Sequence, residues 1–128
     1  MYKITKTYTN FNDEEVTETF YFNLTKAELA EMDISSYGLG DYIKKIVDSK
    51  DRRELINLFK ELLVKSYGIK SEDGREFRKN QAIRDRFTST NAYSEIFMEL
   101  ATDEEAAAKF VEGIMPRDIA RKAIEAKN

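Results

Sequence analysis

The sequence predicts a mainly α fold: a compact multi-helix domain opened by an N-terminal antiparallel β-hairpin, α+β by strict count. Three observations carry that expectation. Apolar residues recur at the 3.6-residue helical period over most of the chain after Thr25. Cap residues and turn residues repeatedly divide those periodic runs into short helices. Strict alternation, the mark of a half-buried strand, is confined to the first 22 residues.

The elements follow in order. In Tyr2 to Thr9, Tyr2, Ile4 and Tyr8 fall on one face and Lys3, Thr5 and Thr7 on the other. After the turn-forming Asn10-Phe11-Asn12-Asp13, Val16, Phe20 and Phe22 alternate with Thr17, Thr19 and Tyr21. A lone hairpin is marginally stable in water, so its apolar face needs cover, and the helices that follow are the expected cover. Thr25 with Glu28 forms a capping-box pattern and starts a short helix to about Met32. Gly38-Leu39-Gly40 breaks the chain, and Asp41 can cap a second short helix bearing Tyr42, Ile43, Ile46 and Val47. Asp51 with Glu54 starts the strongest helix, with Leu55, Ile56, Leu58, Phe59, Leu62, Leu63 and Tyr67 in helical register. It is the expected centre of the fold, and Gly68 is read as the left-handed residue that ends it. Ser71-Glu72-Asp73-Gly74 is a turn joining two very short extended pieces between Ile69 and Phe77. A helix is expected from about Gln81 to Phe87, and Thr90 caps the next, with Ala92, Tyr93, Ile96, Phe97 and Leu100 on one side. Thr102 with Glu105 caps another, with Ala106, Ala107, Phe110 and Val111 inward and Gly113 and Pro116 closing it. Residues 117–128 read as a charged helix or tail with a thin stripe of Ile119, Ala120, Ala123 and Ile124. The expected organisation is one domain, 1–128, made of a hairpin (1–23), a helical body (25–116) and that terminal segment.

Composition restricts the function classes. A chain of 128 residues, 41% hydrophobic and 12% aromatic, has the length and apolar content for one folded core. There is no cysteine, which excludes a disulfide framework, a thiolate metal site and a thiol nucleophile. There is no histidine either, so neither a histidine-based catalytic triad nor a histidine metal cluster can be assembled within the chain. No apolar run approaches the roughly 18 residues of a membrane span, and no export signal is visible, so a soluble intracellular protein without membrane contact is expected. The formal net charge of −3 gives no broad attraction to a polyanion, so no nucleic-acid partner is expected. Carboxylate or lysine catalysis would require a built cleft that the sequence does not indicate; a non-enzymatic protein with no cofactor and no metal is expected.

Four features invite a functional reading. Glu72-Asp73-Gly74 and Asp103-Glu104-Glu105 lack the alternating oxygen ligands of a calcium loop, and are read as a turn and a helix start. Arg75 to Arg86 is locally basic, with Arg78, Lys79 and Arg84 as candidate contacts for an acidic protein partner against the plainer reading of a solvated face. The aromatic row Tyr93, Phe97 and Phe110 suits a core better than a groove, whereas Met98 lies off that face as an exposed, adaptable contact. Ile119 and Ile124 give the last segment too little apolar area to dock firmly, which suits a partner-binding element.

With its Tyr67-Gly68 stop, its Glu72-Asp73-Gly74 turn ahead of Phe77, its Thr90-Asn91-Ala92-Tyr93-Ser94-Glu95 helix start and its Gly113-x-x-Pro116 end, the stretch from Ser66 to Pro116 resembles the tail assembly chaperones of long-tailed bacteriophages. Within it, Phe97-Met98-Glu99-Leu100 follows that helix start, then an acidic start and an alanine-rich helix; Phe20 to Leu29 resembles the family as well. The resemblance implies a small, largely helical, non-enzymatic protein. It would hold the long, apolar tape-measure protein soluble in the host cytoplasm and help tail tube subunits assemble around it. Such proteins are typically absent from the mature virion and often have a frameshifted longer form; the family has no active-site residues to carry over. Self-association into a homo-oligomer is compatible with this reading. Two other readings stand beside it: a structural tail completion or head–tail connector protein of the virion, and a regulatory binding module using the Arg75–Arg86 cluster.

Overall fold

The computed structural model describes residues 1–31 and 52–116, the side chains of Arg52 and Leu55 excepted. Strands β1 (Tyr2–Thr9) and β2 (Glu15–Phe22) precede a short helix α1 (Lys26–Glu31). Helix α2 (Arg52–Ser66) then runs directly into β3 (Tyr67–Lys70), and β4 (Phe77–Arg78) follows a tight turn. Three helices complete the described chain: α3 (Gln81–Thr88), α4 (Asn91–Thr102) and α5 (Glu104–Ile114).

The strands form one antiparallel sheet in the order β1-β2-β3-β4. The protein is therefore mixed α+β, which corrects the expectation of a mainly α fold. The N-terminal strands are half of a sheet whose other half, β3 and β4, falls within the span expected to be a helical body. The cause is local. Gly68 does not close α2 with a left-handed turn; among the described glycines only Gly74 has a positive φ, of 75°. Gly68 sits inside β3, where a Cβ would come within 2.8 Å of the Phe77 ring and 2.9 Å of the Arg78 carbonyl oxygen. Glycine is required there by close approach of the neighbouring strand, which lets β4 join the sheet.

β1 and β2 pair over their full length, from Tyr2 opposite Phe22 to Thr9 opposite Glu15. The loop between them is organised by Asn10, whose Oδ1 accepts from the backbone N–H groups of Asn12 (2.9 Å) and Glu14 (3.0 Å), and Asp13 takes a left-handed φ of 60°. One face of this ribbon carries Tyr8, Phe20 and Phe22, all buried, and the helices cover it. Phe22 is fully buried, with ring centroids of Tyr67, Phe87 and Phe110 at 5.8, 5.9 and 5.5 Å. Tyr67 and Phe87 stack at 4.0 Å, joining β3 to α3. Leu58, Leu62 and Leu63 of α2, Ile96 and Leu100 of α4, and Phe110 and Ile114 of α5 fill the rest of the core.

The sequence picks α2 as the centre; among the described elements α4 has more neighbours, packing against β1, α2, α3 and α5. Its apolar face (Ala92, Ile96, Leu100) is buried, while Ile56 on α2 is exposed. The helix starts show why cap signals were informative and where they slipped. Thr25 and Glu28 form the expected reciprocal box, Thr25 N donating to Glu28 Oε1 (3.0 Å) and Glu28 N to Thr25 Oγ1 (3.2 Å). Thr90 caps α4 by accepting from Tyr93 N at 3.1 Å. For α5, however, the cap is Asp103, which accepts from the N–H groups of Glu105 (3.0 Å) and Ala106 (3.2 Å). Thr102 ends α4 instead, its hydroxyl donating to the Met98 carbonyl at 2.7 Å. Asn80 caps α3, a role the sequence reading did not assign. The expected Asp41 helix, the Gly38-Leu39-Gly40 break, the Asp51 cap and the whole 117–128 segment lie outside the described residues.

Candidate interaction surfaces

Arg78, Lys79 and Arg84 do not form one basic surface. β4 and the start of α3 direct them to different environments. Arg78 projects outward, its side chain 60% exposed, with a loose contact to Glu76 at 3.5 Å. Lys79 turns inward and is 8% exposed. Its Nζ donates to the Asn23 carbonyl and to Glu28 Oε2, both at 2.6 Å, and lies 5.4 Å from the Phe77 ring centroid. Those contacts tie the end of β2, the helix α1 and the exit of β4 together. Burial lowers the Lys79 pKa, outweighing the Glu28 carboxylate that works to raise it. For Glu28, burial works to raise the pKa, but the Lys79 ammonium and the Thr25 donors outweigh it and hold the carboxyl below its ordinary range. Lys79 is the more enclosed of the two side chains, 8% exposed against 26% for Glu28. Arg84 is half-buried, and its Nε is enclosed with no hydrogen-bond partner among the described residues.

Met98 is 54% exposed on the outer side of α4. Tyr93 and Phe97 pack against the core instead, Tyr93 meeting Phe87 edge-on at 5.3 Å. Phe11, at 75% exposure in the β1–β2 loop, and Ile69 on β3 are the other large apolar side chains exposed on the sheet elements beyond Met1. These residues are scattered, and single exposed apolar groups are ordinary on protein surfaces. Ile119 and Ile124 lie outside the described residues.

The acidic strings have local roles. Asp73 accepts from the Ser71 hydroxyl (2.7 Å) and the Arg75 N–H (3.0 Å), and those bonds, the Ser71 one foremost, lower its pKa. Among the described residues no group of three acidic side chains is arranged to hold a metal ion. Tyr8 donates its hydroxyl to the Glu18 carboxylate; that bond, with burial, pushes the phenol pKa up to about 12, which makes it a structural donor. No helix among the described residues is long and apolar enough to cross a membrane.

This is a small α+β body whose polar clusters are engaged in holding its own elements together. A family model described as phage tail assembly chaperone matches residues 1–128, the whole chain. The chain belongs to that family. No curated protein and no solved structure matches it. Membership in the tail assembly chaperones places its action in the building of phage tails within an infected host cell, and implies binding to tail proteins. The family is generally non-enzymatic.

One contact that no motif announced bears on how a tail assembly chaperone of this shape presents itself. Asn91, the first residue of α4, donates from its side-chain amide to the Thr9 carbonyl at 2.9 Å. The sequence offered no signal for it, because the pair is distant in the chain and Asn91 reads as the residue after a cap.

Proposed function

We propose that the protein is a non-enzymatic chaperone that binds the tape-measure protein, keeps it soluble in the host cytoplasm, aids assembly of the tail tube around it, and leaves before the virion is complete. The match of the family model over all 128 residues carries this reading. The chemistry is compatible with it. A chain with no cysteine and no histidine has few means of bond-making, and a chaperone needs none. Binding of this kind needs only reversible contacts, which many copies along one long partner would strengthen through avidity. The Arg75–Arg86 segment supports a regulatory module less well, since Lys79 is engaged internally and Arg78 and Arg84 do not converge with it.

Quantitative mass spectrometry of infected-cell lysates and purified particles tests the role. The protein is expected in tape-measure complexes from lysates and at trace level in particles. Stoichiometric recovery from particles would instead assign it to the virion as a completion or connector component.

A further inference from the structure

Among the described residues, the outer edge of β1 has no strand paired to it. Asn10 N donates to Glu14 O at 2.9 Å, so Asn10 and Glu14 form a hydrogen-bonded pair at the hairpin end. Alternation along the antiparallel register then turns the even-numbered residues of β1 toward β2. The backbone N–H and C=O groups of Lys3, Thr5, Thr7 and Thr9 point the other way. Side chains agree: Thr5 and Thr19 share a hydroxyl hydrogen bond at 2.9 Å and Thr7 and Thr17 one at 2.8 Å, as expected for the closer, non-hydrogen-bonded pairs. Asn91 occupies the Thr9 carbonyl. Among the described residues, the outward groups of Lys3, Thr5 and Thr7 have no hydrogen-bond partner.

Proteins usually protect such an edge with a short strand, proline, a bulge or protruding lysine. The opposite edge, β4, is two residues long. β1 has eight residues, no proline and unbroken register with β2. Its lysines do little to block approach: Lys6 is folded onto Glu99 at 2.7 Å, and Lys3 lies over the Tyr21 ring at 5.8 Å. The occupant is constrained by what lies beneath. α4 packs against β1, so two copies joined edge to edge by antiparallel β1 strands would bring their α4 helices onto the same face of one sheet. Neighbouring strands are about 4.8 Å apart, whereas packed helices need roughly 8–10 Å between axes. A lone extended segment meets no such conflict. β1 contains two lysines and no acidic residue, so charge favours a segment with a carboxylate near the solvent-facing Lys3.

We infer that the outer edge of β1, from Lys3 to Thr7, binds an extended, carboxylate-bearing segment of an unassembled tail protein by adding it as a further strand. The inference rests on the chaperone reading above and gives that reading a site. Backbone pairing supplies most of the affinity in this mode, which suits a partner recognised before it has folded. Asn91 ends the site at Thr9, which fixes the register of the incoming strand.

The test uses the full chain with overlapping peptides from the tape-measure and tail-tube proteins of the same phage, read by titration and by amide hydrogen exchange. Binding is expected to protect the Lys3, Thr5 and Thr7 amides, while those of Ile4, Lys6 and Tyr8 are protected beforehand. Thr5→Pro, which removes an outward N–H and leaves the β1–β2 ladder, is expected to weaken binding roughly tenfold or more. Thr5→Val keeps the backbone groups and is expected to bind like the parent. Exchange on the unmodified chain decides the matter if Thr5→Pro does not fold. Peptide binding with no new protection at Lys3, Thr5 and Thr7 overturns the edge site and leaves the chaperone reading standing. Protection that rises with protein concentration alone, accompanied by dimers in light scattering, also overturns it, because the occupant is then a second copy. Failure of intact tape-measure and tube proteins to bind at all overturns the chaperone reading, and the site with it.

Discussion

Phe22→Ala is expected to lower the unfolding free energy by about 3–5 kcal/mol, the usual cost of removing a buried aromatic ring and leaving a cavity. Domains of this kind have about 5–15 kcal/mol in total, so the variant would sit at the margin of folding. The size of the effect comes from position. Phe22 is fully buried at the point where β2, β3, α3 and α5 meet, touching Tyr67, Phe87 and Phe110. Urea unfolding followed by circular dichroism measures it, with Phe11→Ser as the control. Phe11 is large and aromatic too, but exposed, and its replacement is expected within about 0.5 kcal/mol of the parent. Comparable losses at both positions would show that the core is not built around the β2–α5 contact.

The second large effect belongs to the Lys79–Glu28 pair. Glu28→Ala leaves the Lys79 ammonium enclosed with the Asn23 carbonyl as its one hydrogen-bond acceptor among the described residues, and also removes the capping box of α1. Breaking a buried pair from one side costs about 3–5 kcal/mol; Glu28 is 26% exposed, so the lower end, about 3 kcal/mol, is expected. Replacing both residues, Glu28→Gln with Lys79→Met, is expected to cost less than Glu28→Ala alone, because no unpaired charge remains. The pH dependence has a defined sign. The Glu28 pKa is lowered by folding, so its contribution is present above the ordinary value of 4.5 and is lost as pH falls through the folded-state value beneath it. The Lys79 pKa is lowered too, so the folded state binds fewer protons there, and stability rises as pH climbs from the folded-state value toward the ordinary 10.5. Unfolding curves across pH for the parent and the double variant check both limbs: the Glu28 acid limb and the Lys79 alkaline limb should vanish together in the variant.

Much of the fold was legible because short-range signals decided it. The alternation of Tyr2 to Phe22, the Thr25–Glu28 box and the Thr90 cap each depend on residues within a few positions, and the structure bears each out. What escaped depended on contacts between distant residues. Gly68 looks like a helix stop until Phe77 and Arg78 are known to lie against it, and that contact turns a helical body with a hairpin into an α+β sheet protein. Lys79 looks like one of several surface cations until Asn23 and Glu28 close around it. The exposure of Met98 was legible from helical phase, since it lies off the Tyr93/Phe97 face. The place of β1 at the end of the described sheet was not, because hairpin periodicity shows which face is buried and says nothing about which strand is last.

Co-expression with the tape-measure protein of the same phage tests the central claim most directly, by the fraction of tape measure that remains in the supernatant after centrifugation. The account predicts that the tape measure stays soluble and co-purifies with this chain, and precipitates when the chain is left out. Equal precipitation with and without it would contradict the account.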